Sequence, residues 1–304
     1  LSTISVKLIK FFDLLFFICR QLFSIKIYKK TCEYILNLSV SLIIPTFNRI
    51  KFLKRALESV MKQTVLPNEI IVVDNGSTDG TKKMIEKGFE NVNYIFCEKQ
   101  GVSKARNVGI KSADKELICF LDSDDEWEPK KIEKQVNFFL KNINCKFLHT
   151  NEIWFRNGDH LNQLKKHSKG GGYIFENCLK ICCISPSSVM ARKSLFDEYG
   201  LFDEDFKVCE DYEMWLRVSA KEEIFFLKDK LVIKHGGHGD QLSKKFWGMD
   251  RFRVKAIEKN LNNKFFTKNQ SLIAIDYLLE KVQVILIGAK KRQNLETFEK
   301  YKQK

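Results

Sequence analysis

Between residues 39 and 142, short apolar runs of β type alternate with segments of helical spacing. No other feature constrains the chain as strongly. The runs are SVSLIIPT (39–46), EIIVVDN (69–75), NYIFC (93–97) and ELICFLDSD (116–124). The first helical segment, IKFLKRALESVMKQ (50–63), sets Phe52, Leu53, Ala56, Leu57, Val60 and Met61 on one face. A second follows GSTDGT, where Ser77, Thr78 or Asp79 is placed to cap it. SKARNVGIKSA (103–113) and PKKIEKQVNFFLKN (129–142) complete the series, the last with Pro129 in its first turn. Strand alternating with helix at this length predicts a parallel sheet covered on both faces.

In such sheets ligands bind beyond the carboxyl ends of the strands. Three strand exits carry polar residues: Pro45-Thr46-Phe47-Asn48, Asp74-Asn75-Gly76-Ser77 and Asp122-Ser123-Asp124-Asp125. The third is the most demanding, because its carboxylates follow directly on the apolar run Leu117-Ile118-Cys119-Phe120. Like charges this close repel, and ionised carboxylates resist burial. The stretch needs either a positive partner or full solvation.

After residue 150 the pattern turns mixed. FLHTNEIWF (147–155) reads as a strand, KKHSKGGGY as a flexible loop, and CISPSSVMARKSLF as a strand leading into a helix. CEDYEMWLRVSA (209–220) reads as a helix opening on Glu210 and Asp211. EIFFLKDKLVIKHGGHG reads as a strand pair or hairpin running into a His/Gly loop, and from about 244 the chain is helical and basic. There are no internal repeats.

Charge narrows the class of partner. The chain of 304 residues carries a net +14, unevenly spread. Residues 1–38 have 6 Lys and Arg against 2 Asp and Glu, residues 39–243 have 31 against 30, and residues 244–304 have 15 against 6. A nucleic-acid binder would carry its charge on the folded centre. Basic flanks around a neutral centre fit either an anionic membrane surface or ordinary solvated helix surface. The first 38 residues are very apolar, but Lys7, Lys10, Asp13 and Arg20 interrupt them, which argues against a spanning helix. They read as an interfacial amphipathic helix or as an artefact of the assigned start. Nine scattered cysteines without a paired CxxC point to reduced, mostly buried thiols in a cytoplasmic protein, not to zinc.

Several constellations carry chemistry. A D-x-D at a strand exit, Asp122 and Asp124, suits a hard divalent cation that bridges carboxylates to phosphates; it equally suits a solvated turn capping the next helix. Lys104 and Arg106 sit near a helix start, where a guanidinium could grip a diphosphate. Glu210 and Asp211 are either a general base and its neighbour or ordinary helix-start acids. His235 and His238 flank a Gly-Gly, either as metal or phosphate contacts or as plain loop residues. No GxGxxG or GxxxxGKS is present, so standard dinucleotide and P-loop sites are not expected.

Taken together, VSLIIPTFNR, IIVVDNGSTDGT, GVSKARNVGI, CFLDSDDEW and CEDYEMWLR resemble, in order and spacing, the family 2 glycosyltransferases of the GT-A fold. The resemblance covers about residues 39–240. It implies an α/β, Rossmann-like GT-A fold with a mainly parallel central sheet flanked by helices, plus a C-terminal helical extension. It divides the chain into an N-terminal segment (1–38), a transferase domain (39–243, with a nucleotide-sugar half at 39–150 and an acceptor half at 151–243) and the basic extension (244–304). It implies inverting transfer of a hexosyl or N-acetylhexosaminyl group from a nucleotide sugar, UDP first, to a glycan or lipid-linked acceptor in bacterial surface polysaccharide synthesis. The enzyme would be cytoplasmic, or peripheral at the inner face of the membrane. By the same resemblance Pro45, Thr46, Phe47, Asn48 and Arg49 line the nucleotide pocket. Asp74 accepts from the base, with Asn75 and Gly76 beside it. Arg106 lies near the diphosphate, and Asp122 and Ser123 contact ribose or sugar. Asp124, with Asp122, holds Mn²⁺ or Mg²⁺; His235 or His238 closes over the diphosphate or joins the metal. Asp211 is the base, with Glu210 beside it. One departure is Asn75, where the family pattern has a second acid. The rival reading is a catalytically silent nucleotide-sugar-binding module.

Overall fold

A computed structural model describes residues 38–239 and 245–304; the apolar N-terminal segment lies outside the described residues. The first half follows the alternation. Strand β1 (Val40–Thr46) leads to helix α1 (Ile50–Met61), β2 (Glu69–Asp74) to α2 (Thr81–Gly88), and β3 (Val92–Phe96) to α3 (Val102–Ser112). Then come β4 (Leu117–Phe120), the short β5 (Glu126–Trp127) and α4 (Lys131–Lys141). β1 and β4 are buried along their whole length, as expected of strands covered on both faces. The expected face of α1 is largely right: Leu53, Ala56, Leu57 and Val60 are buried, whereas Phe52 is half-buried and Met61 exposed.

The second half holds β6 (Phe147–Arg156), β7 (Asp159–Leu161), α5 (Phe175–Lys180), β8 (Met190–Arg192), α6 (Ser194–Tyr199), α7 (Glu210–Ser219) and β9 (Phe225–Gly236). Among the described residues three helices then follow: α8 (Asp250–Asn262), α9 (Lys268–Lys291) and α10 (Leu295–Lys302). The sheet runs β3-β2-β1-β4-β8-β6-β9-β5, with β7 paired to β6. β1 pairs in parallel with both β2 and β4, β2 with β3, and β6 with β9. β5, β7 and β8 run against their neighbours. The strand order reverses between β1 and β4, so a crevice is expected beyond their carboxyl ends.

Four local expectations are corrected. Residues 225–236 form one strand, not a hairpin: β9 stays in parallel register with β6 through two shifts beside Asn151, which absorb the polar Lys228-Asp229-Lys230 stretch. The fourth strand ends at Phe120, and the acidic stretch beyond it is turn. The helix after Pro129 begins two residues later, at Lys131. At α2 the cap position is Gly80 in the left-handed region (φ 89°), while Asp79 Oδ1 accepts from the Thr81 N–H at 3.1 Å.

Packing fixes the layers. A Cβ on Gly109 would lie 2.4 Å from Ile43 Cγ2, so α3 sits against β1 at a distance only glycine allows. On the same face of the sheet, where Ile43 and Phe120 are register partners, Trp215 of α7 packs edge-on against Phe147 and Phe202, and Phe202 against Phe120. The same apolar cluster continues through Val254, Ile257, Ala274 and Leu278 to Tyr301. Residues 39–304 form one compact unit. All seven cysteines among the described residues are free thiols.

Candidate active site

The loops after β1 and β2 are stitched together before any ligand is considered. Asn48 takes a positive φ of 50°. Its N–H donates to Ser77 Oγ (2.7 Å) and its Oδ1 accepts from the Thr78 N–H (2.8 Å). The Ile50 N–H donates to Asp79 Oδ2 (2.9 Å). This leaves Phe47 on the surface, 41% exposed, at the mouth of the crevice. The hydroxyl of Thr46 just below is buried and without a hydrogen-bond partner among the described residues.

Beyond β4, exposure alternates from residue 121 to 127. Leu121, Ser123, Asp125 and Trp127 point inward and are buried; Asp122, Asp124 and Glu126 lie partly open. Each acid of the stretch has a protein cation, drawn from separate elements. Arg106 Nη2 lies 2.7 Å from Asp122. Arg49 Nη1 lies 3.0 Å and His238 Nε2 2.9 Å from Asp124 Oδ2. Lys234 lies 3.6 Å from Asp125, which also accepts from Ser187 Oγ at 2.7 Å. Arg55 and His235 share Glu126, at 3.3 and 2.6 Å. The positive partner that the sequence demanded is therefore largely the protein itself. The Arg49–Asp124 pair also spans the β1/β4 switch point.

These contacts set the ionisation of the cluster. Burial works to raise the Asp124 carboxyl, but the bond from His238 and the charges of Arg49 and Lys234 outweigh it and hold it at about 2. Burial wins at Asp125, with Asp124 and Asp122 adding repulsion against Lys234, and pushes it up to about 7.

The far wall is α7. Every residue of this helix is buried except Asp211. Cys209 at its start holds a left-handed conformation (φ 61°), which turns the chain sharply into the helix. Glu210 points inward to Arg106 Nη1 at 2.5 Å, so this guanidinium bridges Glu210 to Asp122. Burial, reinforced by Asp211 and opposed by Arg106, pushes Glu210 up to about 7. Burial would strip the charge from Arg106, but Asp122 and Glu210 more than restore it. Cys182 Sγ donates to Asp211 Oδ2 at 3.2 Å, and the Tyr212 N–H donates to Oδ1 at 2.7 Å.

The structure brings Phe47, Asn48, Arg49, Gly76, Arg106, Asp122, Asp124, Glu210, Asp211, His235 and His238 into or beside this crevice and its wall. Pro45, Asp74, Asn75 and Ser123 lie beneath its surface. Asp74 has no exposed surface; its oxygens accept from the Ser77 N–H (2.8 Å) and the Tyr94 hydroxyl (2.9 Å). Asn75 bonds Lys99 and Gly101 and so shapes the next loop. Sequence reasoning missed Arg55, Cys182, Ser187 and Lys234. Only Lys234 left a trace, since it shares a strand face with buried Val232.

Among the described residues, no group of three or more His, Cys, Asp and Glu side chains could hold a metal ion. Asp124 and His238 are the pair whose chemistry fits one, a carboxylate oxygen and an imidazole nitrogen on one point. Mg²⁺-type sites commonly use one or two protein ligands and take the rest from phosphates and water.

The strand order and the acidic crevice at its switch point place the chain in the GT-A class of α/β folds. It belongs to glycosyl transferase family 2, whose family model matches residues 41–200. An uncharacterized glycosyltransferase of Rickettsia felis is 34% identical over 213 residues, 65% of this chain and 34% of the relative. The Escherichia coli UDP-Glc:alpha-D-GlcNAc-diphosphoundecaprenol beta-1,3-glucosyltransferase WfgD is 31% identical over 187 residues, 61% of this chain and 71% of the relative. The chain thus spans about a third of the Rickettsia felis relative. Staphylococcus aureus TarS 1–349 in complex with UDP-GlcNAc superposes with a TM-score of 0.59 at 20% identity, covering 87% of this chain and 90% of that one. At that identity the likeness speaks for the fold.

Proposed function

We propose that this chain transfers a hexosyl or N-acetylhexosaminyl group, with inversion, from a nucleoside-diphosphate sugar to a hydroxyl of a glycan or lipid-linked acceptor. The observation that carries the reading is α7, where Asp211 is the one residue not fully buried and its neighbour Glu210 is tied through Arg106 to Asp122 of the acidic loop at the switch point. WfgD, a UDP-glucose enzyme by its name with a diphosphoundecaprenol-linked acceptor, supports a UDP-sugar donor and a lipid-linked acceptor.

In this reading the base of the nucleotide lies against Phe47, with the Thr46 hydroxyl as an unmet polar group nearby. Asp74 acts through the turn it organises more than by direct contact. Arg106, fixed between Asp122 and Glu210, faces the diphosphate end. Asp124 and His238 would hold a divalent cation, Mn²⁺ or Mg²⁺, which when bound neutralises charge on the departing diphosphate. Arg49 would then exchange Asp124 for a phosphate oxygen. Asp211 takes the proton of the acceptor hydroxyl as its oxygen attacks the anomeric carbon, which requires that hydroxyl within ~3 Å.

The test is release of nucleotide from a panel of UDP-, GDP-, dTDP- and CMP-sugars, with Mn²⁺ or with EDTA. The expected result is metal-dependent release from one UDP-sugar. Asp211→Asn should slow transfer by ~10²–10⁴-fold while leaving donor affinity unchanged. Near-full transfer by Asp211→Asn removes the assigned base. Donor binding without any turnover by the wild type moves the chain to the silent-module reading.

A further inference from the structure

Helix α9 is apolar on two sides. Ala274, Leu278, Val282 and Ile285 face inward and are buried. On the outside Leu272 is 58%, Ile275 41%, Leu279 43% and Ile287 68% exposed. At 3.6 residues per turn these four fall within an arc of about 120°. A helix apolar all round is normally covered on all sides. Contiguous exposed apolar surface of this kind marks an interaction site.

The surrounding charge says what covers it. Lys268 lies in the same arc at one end of the stripe; Lys290 lies in it at the other, followed by Lys291 and Arg292, all exposed. Asp276 is the one acid within the arc. Just past the helix end Leu295 is 74% exposed. A hollow of about 450 Å³ there is lined by Ala289, Arg292, Asn294 and Trp247. Trp247 is itself 49% exposed and stacks under Arg251 at 3.5 Å. Apolar stripe, flanking lysines and a half-exposed Trp–Arg pair match the demands of a bilayer interface. Among the described residues no helix is long and apolar enough to cross a membrane, so α9 would lie along the surface.

We infer that the outer face of α9, with the corner at Trp247 and Leu295, docks on a lipid surface of anionic headgroups. This goes beyond the transferase reading and stands or falls independently of it. The test is co-sedimentation of the full chain with phosphatidylcholine vesicles, with and without phosphatidylglycerol. Wild type should pellet with the anionic vesicles only, and less so as salt rises. The variant Leu272→Gln/Leu279→Gln/Ile287→Gln should lose most of that binding. Each of Lys290→Gln, Lys291→Gln and Arg292→Gln should weaken it about fivefold. Emission quenched by brominated lipid should be reduced in Trp247→Phe. None of these changes should alter donor hydrolysis without vesicles. Equal pelleting of variants and wild type overturns the inference, whatever residues 1–37 contribute. So does a vesicle-free dimer, seen by light scattering, that the triple Gln variant dissolves, because a second copy would then own the face.

Discussion

At the scale of single residues, Arg106 does the most. It lies buried between Glu210 and Asp122 and ties α7 to the acidic loop. Removing one partner of a buried ion pair leaves the other charge stranded. Arg106→Met should therefore cost about 3–5 kcal/mol in urea unfolding, and adding Glu210→Gln should return part of that loss. Cys182 is a subtler case. Burial, together with the Asp211 charge, keeps its thiol protonated, so that it donates to the candidate base. Cys182→Ala should slow transfer about fivefold, on the order of 1 kcal/mol, without weakening nucleotide binding. Cys182→Ser should keep the rate. Comparable rates for Ala and Ser would show that the thiol only fills space. These contacts divide by legibility. Asp211 was readable because a helix opening on two acids follows known motif order. Cys182, Ser187 and Arg55 were not, because loops and neighbouring helices bring them in from positions without any periodic signal.

At the scale of elements, the alternation over residues 39–142 was readable because each buried strand and each one-faced helix imposes its own period. The close approach of α3 to β1 was not, since a glycine inside a helix pattern has several explanations. Gly109→Ala should cost about 1–3 kcal/mol, because Ile43 is wholly buried and cannot yield. Pairing it with Ile43→Ala should show a favourable coupling in a double-mutant cycle. β9 was misread because three exposed charged residues interrupt it like a turn; register shifts against β6 let the strand continue. β6 also carries a pH dependence. His149 is fully buried, with Nε2 2.8 Å from the Gly170 carbonyl. Burial and Lys169, opposed by that bond and by Glu152, lower it to about 3. The unfolded chain takes up a proton near 6.5 and the folded one does not, so stability falls as pH drops from about 6.5 towards 3. His149→Gln keeps a donor for Gly170 and should flatten unfolding free energy against pH between about 6.5 and 4.5.

At the scale of the whole molecule, the sequence suggested a transferase domain ending at 243 and a basic extension after it. The apolar cluster does not stop there, since Val254, Ile257, Ala274 and Leu278 belong to the cluster that holds Trp215. A chain cut after residue 243 should therefore lose its cooperative thermal transition by circular dichroism, not merely its charge. A shortened chain melting like the full one would show the C-terminal helices to be an appendage. Charge partition and the alternation of strand with helix were legible because both are patterns over many residues. The cation on each acid was not, since it depends on which loops meet. One consequence of α7 reaches past chemistry. Its one side chain that is not fully buried, Asp211, is held by Cys182 and by the start of its own helix, and its exchange for Asn leaves the buried face of α7 untouched. On the proposed reading, one nucleotide change, Asp to Asn, would turn the transferase into a receptor that still folds and still holds its donor. A lineage built this way would then trade catalysis for recognition without passing through an unstable intermediate.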